Sequence, residues 1–177
     1  LDQEYFNSLS FFYNDDANSN ERMNWTLQRN IVGNKVNPEQ YDSPNLVMFN
    51  HLFFDNLVTS HDEKEFRGVG HPCSPRFGRI LPILQKLNIK SLLRVKANFY
   101  PYSGETLYEH GMHVDFHFPS YAALLSLNTC DGYTKLEDGT KIESIANRMV
   151  IFDANKKHCS TTTTSDFARI NININYL

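Results

Sequence analysis

Two stretches of the chain alternate strictly between apolar and polar residues. Near the end, Ala168, Ile170, Ile172 and Ile174 are interleaved with Arg169, Asn171, Asn173 and Asn175; earlier, Leu93, Val95, Ala97 and Phe99 are interleaved with Arg94, Lys96, Asn98 and Tyr100. A period of two places each set on its own face of an extended strand. Shorter β-type runs cover 112–117, 122–128, 133–137, 141–145 and 148–152, with breaks at Pro101, Pro119, Asp131-Gly132, Asp138-Gly139 and 153–157, where turn chemistry is expected. The first half reads differently. Asp2 can cap a short helix carrying Tyr5, Phe6 and Leu9, and 14–24 is a polar connection. After His71-Pro72, Ser74 stands as an N-cap and Pro75 at the first helical position, with Phe77, Ile80, Leu81, Leu84 and Leu87 at helical spacing.

Strands crowded after residue 91 and helical fragments before it predict an α+β, mainly β protein. The expected architecture is a double-stranded β-helix, or jelly roll, with N-terminal helices packed on one sheet. At 177 residues the chain has room for one domain, read as helical and loop support over 1–90 and a jelly-roll core over 91–177. The polar faces of the first and last strands meet either solvent or a wet pocket.

Charge narrows the partners. Seventeen Lys plus Arg against 20 Asp plus Glu leave a net charge of −3, so there is no basic field to draw the chain onto nucleic acid. No apolar run of about 18 residues is present to suggest a membrane span. The opening Leu1-Asp2-Gln3-Glu4 has neither region of a secretory signal, and three scattered cysteines make no disulfide framework. The expectation is a cytoplasmic protein acting on a peptide, protein or small-molecule substrate.

Seven histidines raise the question of a metal, but seven His and 20 acids in 177 residues give about 0.8 His-x-Asp/Glu pairs by accident. Two such pairs occur. His61-Asp62-Glu63 lies in a charged stretch that reads as a solvated loop. His113-Val114-Asp115 lies where apolar and polar residues alternate, so a strand would present His113 and Asp115 on one face to one ion. His158, just after the 153–157 turn, is the candidate third ligand. Two His and one carboxylate leave coordination positions open, as in non-haem Fe(II) oxygenases and unlike closed zinc sites. Arg169 offers a planar fork suited to a carboxylate. His117 shares the parity of His113 and Asp115, yet a fourth protein ligand would crowd those positions. His51 reads as a satisfied core histidine, His110 as a loop residue and Cys159 as a small buried one.

Taken in order, His113-x-Asp115, Gly132-Tyr133-Thr134, Ile151-Phe152, His158 and Arg169 resemble the 2-oxoglutarate and Fe(II)-dependent oxygenase family, in particular its prolyl-4-hydroxylase-like branch. The resemblance covers about 92–176. It implies Fe(II) held by His113, Asp115 and His158, 2-oxoglutarate as cosubstrate anchored by Arg169, and O2 as oxidant. It further implies hydroxylation of an unactivated C–H bond with release of succinate and CO2. Tyr100-Pro101 is similar to the family's Tyr-Pro at the end of the first core strand, which makes Tyr100 a cosubstrate contact. Asn98 and Lys96 become pocket candidates, as do Asn171 and Asn173. Ser126 stands where related hydroxylases often carry a Tyr that touches the cosubstrate. Two other readings fit the residues: a non-enzymatic jelly-roll binding module, and a cupin-type metal enzyme, for which the expected His-x-His pair is absent.

Overall fold

The two alternating stretches lie side by side. In the computed structural model, which describes residues 1–9, 23–29, 47–56 and 70–177, β4 (Leu92–Pro101) pairs antiparallel with β10 (Ala168–Tyr176). Their register sets Arg169 opposite Tyr100, Asn171 opposite Asn98 and Asn173 opposite Lys96. Every position of β10 is buried. Neither of its faces therefore meets solvent, and the polar one must find partners inside the protein.

Around this pair the described strands make two sheets. The larger runs β1-β2-β4-β10-β5-β8, with β1 at Thr26–Gln28, β2 at Met48–Asp55, β5 at Tyr121–Ser126 and β8 at Met149–Asp153. The short β3 (His71–Pro72) pairs with β2. The smaller sheet is β7-β6-β9, built from β6 (Tyr133–Leu136), β7 (Lys141–Glu143) and β9 (His158–Ser160). The apolar face of the larger sheet, with Val95, Ala97, Ile170, Ile172 and Ile174, forms the core together with Leu9, Ile80 and Ile83 from the helical segments. The polar face turns toward the smaller sheet. This is the expected double-stranded β-helix with helices on one sheet. Among the described residues no helix is long and apolar enough to cross a membrane.

Asp2 caps α1 (Gln3–Ser8) as its sequence predicts, its carboxylate accepting from the Tyr5 N–H at 2.9 Å. Three local expectations are corrected. The segment 74–87 is not one helix: a 3-10 turn at Phe77–Ile80 runs into a single α turn, α2, at Leu81–Leu84. Pro82 at the start of α2 has no N–H to donate and restarts the helix there. Ser74 instead takes part in a turn and bonds His51, and Leu81 is exposed.

The support over 1–90 is also not only helix and loop, because β1, β2 and β3 extend the larger sheet. Aromatic-rich Met48–Asp55 finds its partner in the edge of β4, a pairing no local pattern announces. Finally, 112–117 forms no continuous strand. It meets its neighbour through the isolated bridge of His113 to His158, whose register differs by one residue from the bridge of Glu109 to Thr161 just before it, so no ladder can propagate between them. The polar connection at 14–24 falls mostly outside the described residues, and the pair His61-Asp62 falls wholly outside them.

Candidate metal centre and anion pocket

The His113–His158 bridge is the geometric seed of the site. Each residue's backbone N–H donates to the other's carbonyl at 2.9 Å, and the two imidazole centroids lie 4.6 Å apart. The Asp115 N–H donates to the Ala154 carbonyl at 2.9 Å, which fixes its carboxylate against the same pair. One potential ligand atom from each of His113, Asp115 and His158 lies within 4.8 Å of the others, with His158 Nε2 3.9 Å from Asp115 Oδ2. Three residues separated along the chain therefore converge on one point.

The donor set is prepared for a cation. Nδ1 of His113 faces the Gly111 carbonyl at 3.2 Å, and Nδ1 of His158 faces the Lys156 carbonyl at 3.0 Å. A carbonyl can only accept, so the proton belongs on Nδ1 and the Nε2 lone pair is left for a metal. Burial lowers the pKa of His113, and the neighbouring His158 lowers it further. Burial alone would raise the Asp115 pKa, but Arg94, Lys96, His158 and a hydrogen bond from Asn173 outweigh it and hold the carboxyl well below its ordinary range. Its Oδ1 accepts from Arg94 at 3.1 Å, and its Oδ2 accepts from the amides of Asn173 and Asn175 at 3.0 and 2.9 Å. Of about four acceptor sites on a carboxylate, one remains. Two neutral imidazoles and one charged carboxylate with a lone pair to spare fit a divalent metal with open positions.

A cavity opens from this trio along the polar faces of β4 and β10, lined among others by Lys96, Asn98, Tyr100, Asn171, Asn173 and Arg169. At its far end Arg169 is 1% exposed. Its Nε donates to Ser144 Oγ at 2.6 Å and its Nη2 to Thr134 Oγ1 at 2.8 Å, while Tyr100 lies with its ring centroid 5.4 Å from the guanidinium carbon. Its Nη1 has no partner, and no carboxylate pairs with it among the described residues. A buried guanidinium without an anion is costly. Burial pushes the Tyr100 pKa up, which keeps its phenol a donor at neutral pH. The carbonyl oxygens of Asn98 and Asn173 are likewise buried without partners. The wall of this cavity thus offers an unpaired guanidinium nitrogen to an anion and unpaired carbonyl oxygens to a hydrogen-bond donor.

The sequence candidates are thus mostly gathered in one place: the trio, Arg169, Tyr100, Asn98 and Lys96 all border the cavity. Ser126 is buried on the same face of the larger sheet, opposite Asn171 and in parity with the cavity-lining Leu124, but does not itself line the cavity, so the structure does not place it as a cosubstrate contact. His117 is exposed and does not line the cavity. His51 is the satisfied core histidine expected, with Nδ1 2.8 Å from the Asn24 carbonyl and Nε2 2.9 Å from Ser74 Oγ. His110, read as a loop residue, is buried: it stacks on Tyr100 with centroids 5.4 Å apart and meets Ser160 Oγ through Nδ1 at 2.8 Å. Sequence reasoning missed Arg94, Asn175, Thr134 and Ser144. The parity of β4 and β10 names the face of the first two, but only cross-strand register brings them to Asp115.

The antiparallel double-stranded β-helix is a fold this chain shares with proteins of known structure. A 2-oxoglutarate-Fe(II) oxygenase-family oxidoreductase from Burkholderia pseudomallei superimposes with a TM-score of 0.51 at 8% identity, over 88% of this chain and 74% of that one. A prolyl hydroxylase from Trichoplax adhaerens, solved with a hypoxia-inducible-factor peptide, gives 0.42 at 19% identity over 56% of this chain; the match spans 53% of that chain, about half its length. A predicted oxalate decarboxylase from Thermotoga maritima gives 0.41 at 11% identity, over 74% and 81% of the two chains. No protein-family profile and no curated protein matches this sequence.

Proposed function

We propose that this protein is an Fe(II) and 2-oxoglutarate-dependent dioxygenase of the prolyl-hydroxylase-like kind. In this reading an unactivated C–H bond, 2-oxoglutarate and O2 become a hydroxyl group, succinate and CO2. The observation that carries it is a single cavity with a His113, Asp115 and His158 trio at one end and a buried guanidinium lacking an anion at the other.

His113, Asp115 and His158 would hold the iron, which when bound supplies the activation of O2 and the oxidising power that side chains lack. The chain supplies the rest. The backbone carbonyls of Gly111 and Lys156 keep both imidazoles in the ligating tautomer. Arg94, Asn173 and Asn175 keep Asp115 ionised and pointed inward. Arg169 and the Tyr100 hydroxyl take the distal carboxylate of the dicarboxylic acid, with Thr134 and Ser144 steering the guanidinium. A cupin-type metal enzyme would call for a His-x-His pair that this sequence lacks and would have no use for this arginine. Substrates considered are a peptidyl proline, another protein side chain or a small molecule.

The test is succinate release from 2-oxoglutarate under Fe(II), with and without a panel of proline-containing peptides. Turnover that disappears in Arg169→Met supports the reading. Absence of both iron binding and 2-oxoglutarate turnover in the wild type would leave a binding module in its place.

A further inference from the structure

Two cations, Lys96 and Arg169, line the cavity and a third, Arg94, reaches Asp115 beside it, and their surroundings differ. Arg94 is paired with Asp115 at 3.1 Å. Arg169 has hydroxyl acceptors on two of its nitrogens and none on the third. Lys96, half-buried in the cavity wall, makes neither a hydrogen bond nor an ion pair with any described residue. Burial, then the charge of Arg94, pushes its pKa down to about 8, with Asp115 acting the other way. At neutral pH it is still mainly an ammonium, held next to the ligand trio with Asp115 nearby but with no carboxylate within ion-pair distance among the described residues.

Register fixes where this ammonium sits. Lys96 pairs with Asn173, whose amide holds Asp115, so it lies at the level of the trio. Four residues further along β4, Tyr100 pairs with Arg169. At about 3.3 Å per residue the two levels are roughly 13 Å apart on the same face. An extended five-carbon dicarboxylate spans about 5 Å between its carboxyl carbons at ordinary bond lengths. One C–O bond and one charge-assisted contact of about 2.8 Å at each end bring the separation it requires to roughly 13 Å.

We infer that Lys96 binds the carboxylate at the 2-oxo end of the cosubstrate, beside the metal ligands, while Arg169 binds the far carboxylate, so that the two unpaired cations together select a five-carbon 2-oxo diacid. The inference rests on the oxygenase reading above and adds a residue that reading does not use.

Equilibrium affinities measured by calorimetry on the Zn(II)-loaded protein, where no turnover intervenes, test it. The probes are 2-oxoglutarate and 2-oxopentanoate, the latter identical except for the missing far carboxylate. Lys96→Met should weaken both by a similar factor, roughly tenfold to a hundredfold, as expected for a lost charge-assisted bond. Lys96→Arg should restore part of that loss, and Arg169→Met should weaken 2-oxoglutarate alone. Since Lys96 makes no hydrogen bond or ion pair with any described residue, Lys96→Met should leave thermal stability and Zn(II) affinity undiminished at neutral pH; if it fails to fold, Lys96→Gln carries the same test. Unchanged affinity for either probe in the folded variant overturns the assignment and leaves Lys96 for a substrate anion or for solvent. A wild type that binds neither metal nor 2-oxo acid overturns the oxygenase reading as well, whereas a wild type that binds both beside an indifferent variant overturns Lys96 alone.

Discussion

At Gly132 an added Cβ would lie 2.6 Å from Arg169 Cδ and 2.6 Å from the Thr162 carbonyl oxygen. The arginine can move but the backbone oxygen cannot do so cheaply, so this glycine makes room for the stem of the Arg169 side chain. Two residues on, Thr134 accepts from the same guanidinium, which gives the Gly-x-Thr spacing a physical meaning: one residue clears the arginine's path and the other receives it. Gly132→Ala should destabilise the fold by about 1–3 kcal/mol through overpacking and weaken 2-oxoglutarate binding; urea denaturation and calorimetry read the two effects. Asp115 is both a candidate ligand and a structural tie, because it joins β4 and β10 through Arg94, Asn173 and Asn175. Asp115→Asn should therefore remove metal binding and also cost about 1–3 kcal/mol of stability, leaving Arg94 without its carboxylate. Metal affinity retained in that variant would take Asp115 out of the trio.

In β10 one strand does two jobs by parity. Ile170, Ile172 and Ile174 are 0% exposed in the core, while on the other face Asn173 and Asn175 hold the carboxylate of Asp115, Asn171 accepts from Asn98 and Arg169 keeps one nitrogen unpaired. Ile172→Ala should cost about 2–5 kcal/mol, read from the urea midpoint, while the cavity face keeps its residues. The strands of 91–177 were legible because their alternation and turn residues are local signals, and six of the seven expected runs are strands. The elements that differed were decided by neighbours. Phe77 to Leu87 has helical spacing, yet Pro82 interrupts its hydrogen bonding. Met48–Asp55 becomes a strand because β4 offers it an edge. The segment 112–117 loses its ladder to a one-residue slip in register against the 158–161 segment, a quantity absent from its own sequence.

For the molecule as a whole, acid is the natural perturbant. The folded pKa values of His113 and His51 lie below the ordinary value, first of all through burial, and that of Asp115 lies below its own through its cationic and amide partners. In each case the unfolded chain takes up protons first as pH falls, so stability rises with pH. Without metal, stability should be fully present above about pH 7 and decline first below about 6.5, as the histidines charge, and again below about 4, as Asp115 protonates. Urea midpoints from pH 8 to 3 check this, and a stability that rises on acidification would contradict it. Zn(II) affinity should hold until pH passes below about 6.5 and then fall as protons compete for the imidazoles; an affinity flat down to pH 4.5 would exclude histidine ligation. The β-rich architecture, the two faces of its first and last core strands, and the residue types of a candidate metal trio and a candidate anion clamp were legible in the sequence alone, because periodicity and side-chain chemistry are local properties. Only tertiary pairing set His113 and His158 facing each other across a single bridge, tied Asp115 to three side-chain donors, Arg94, Asn173 and Asn175, from two strands, and left Lys96 and Arg169 in one cavity wall without an ion-pair partner among the described residues. Those are matters of register and burial, and both come from pairing segments far apart in the chain.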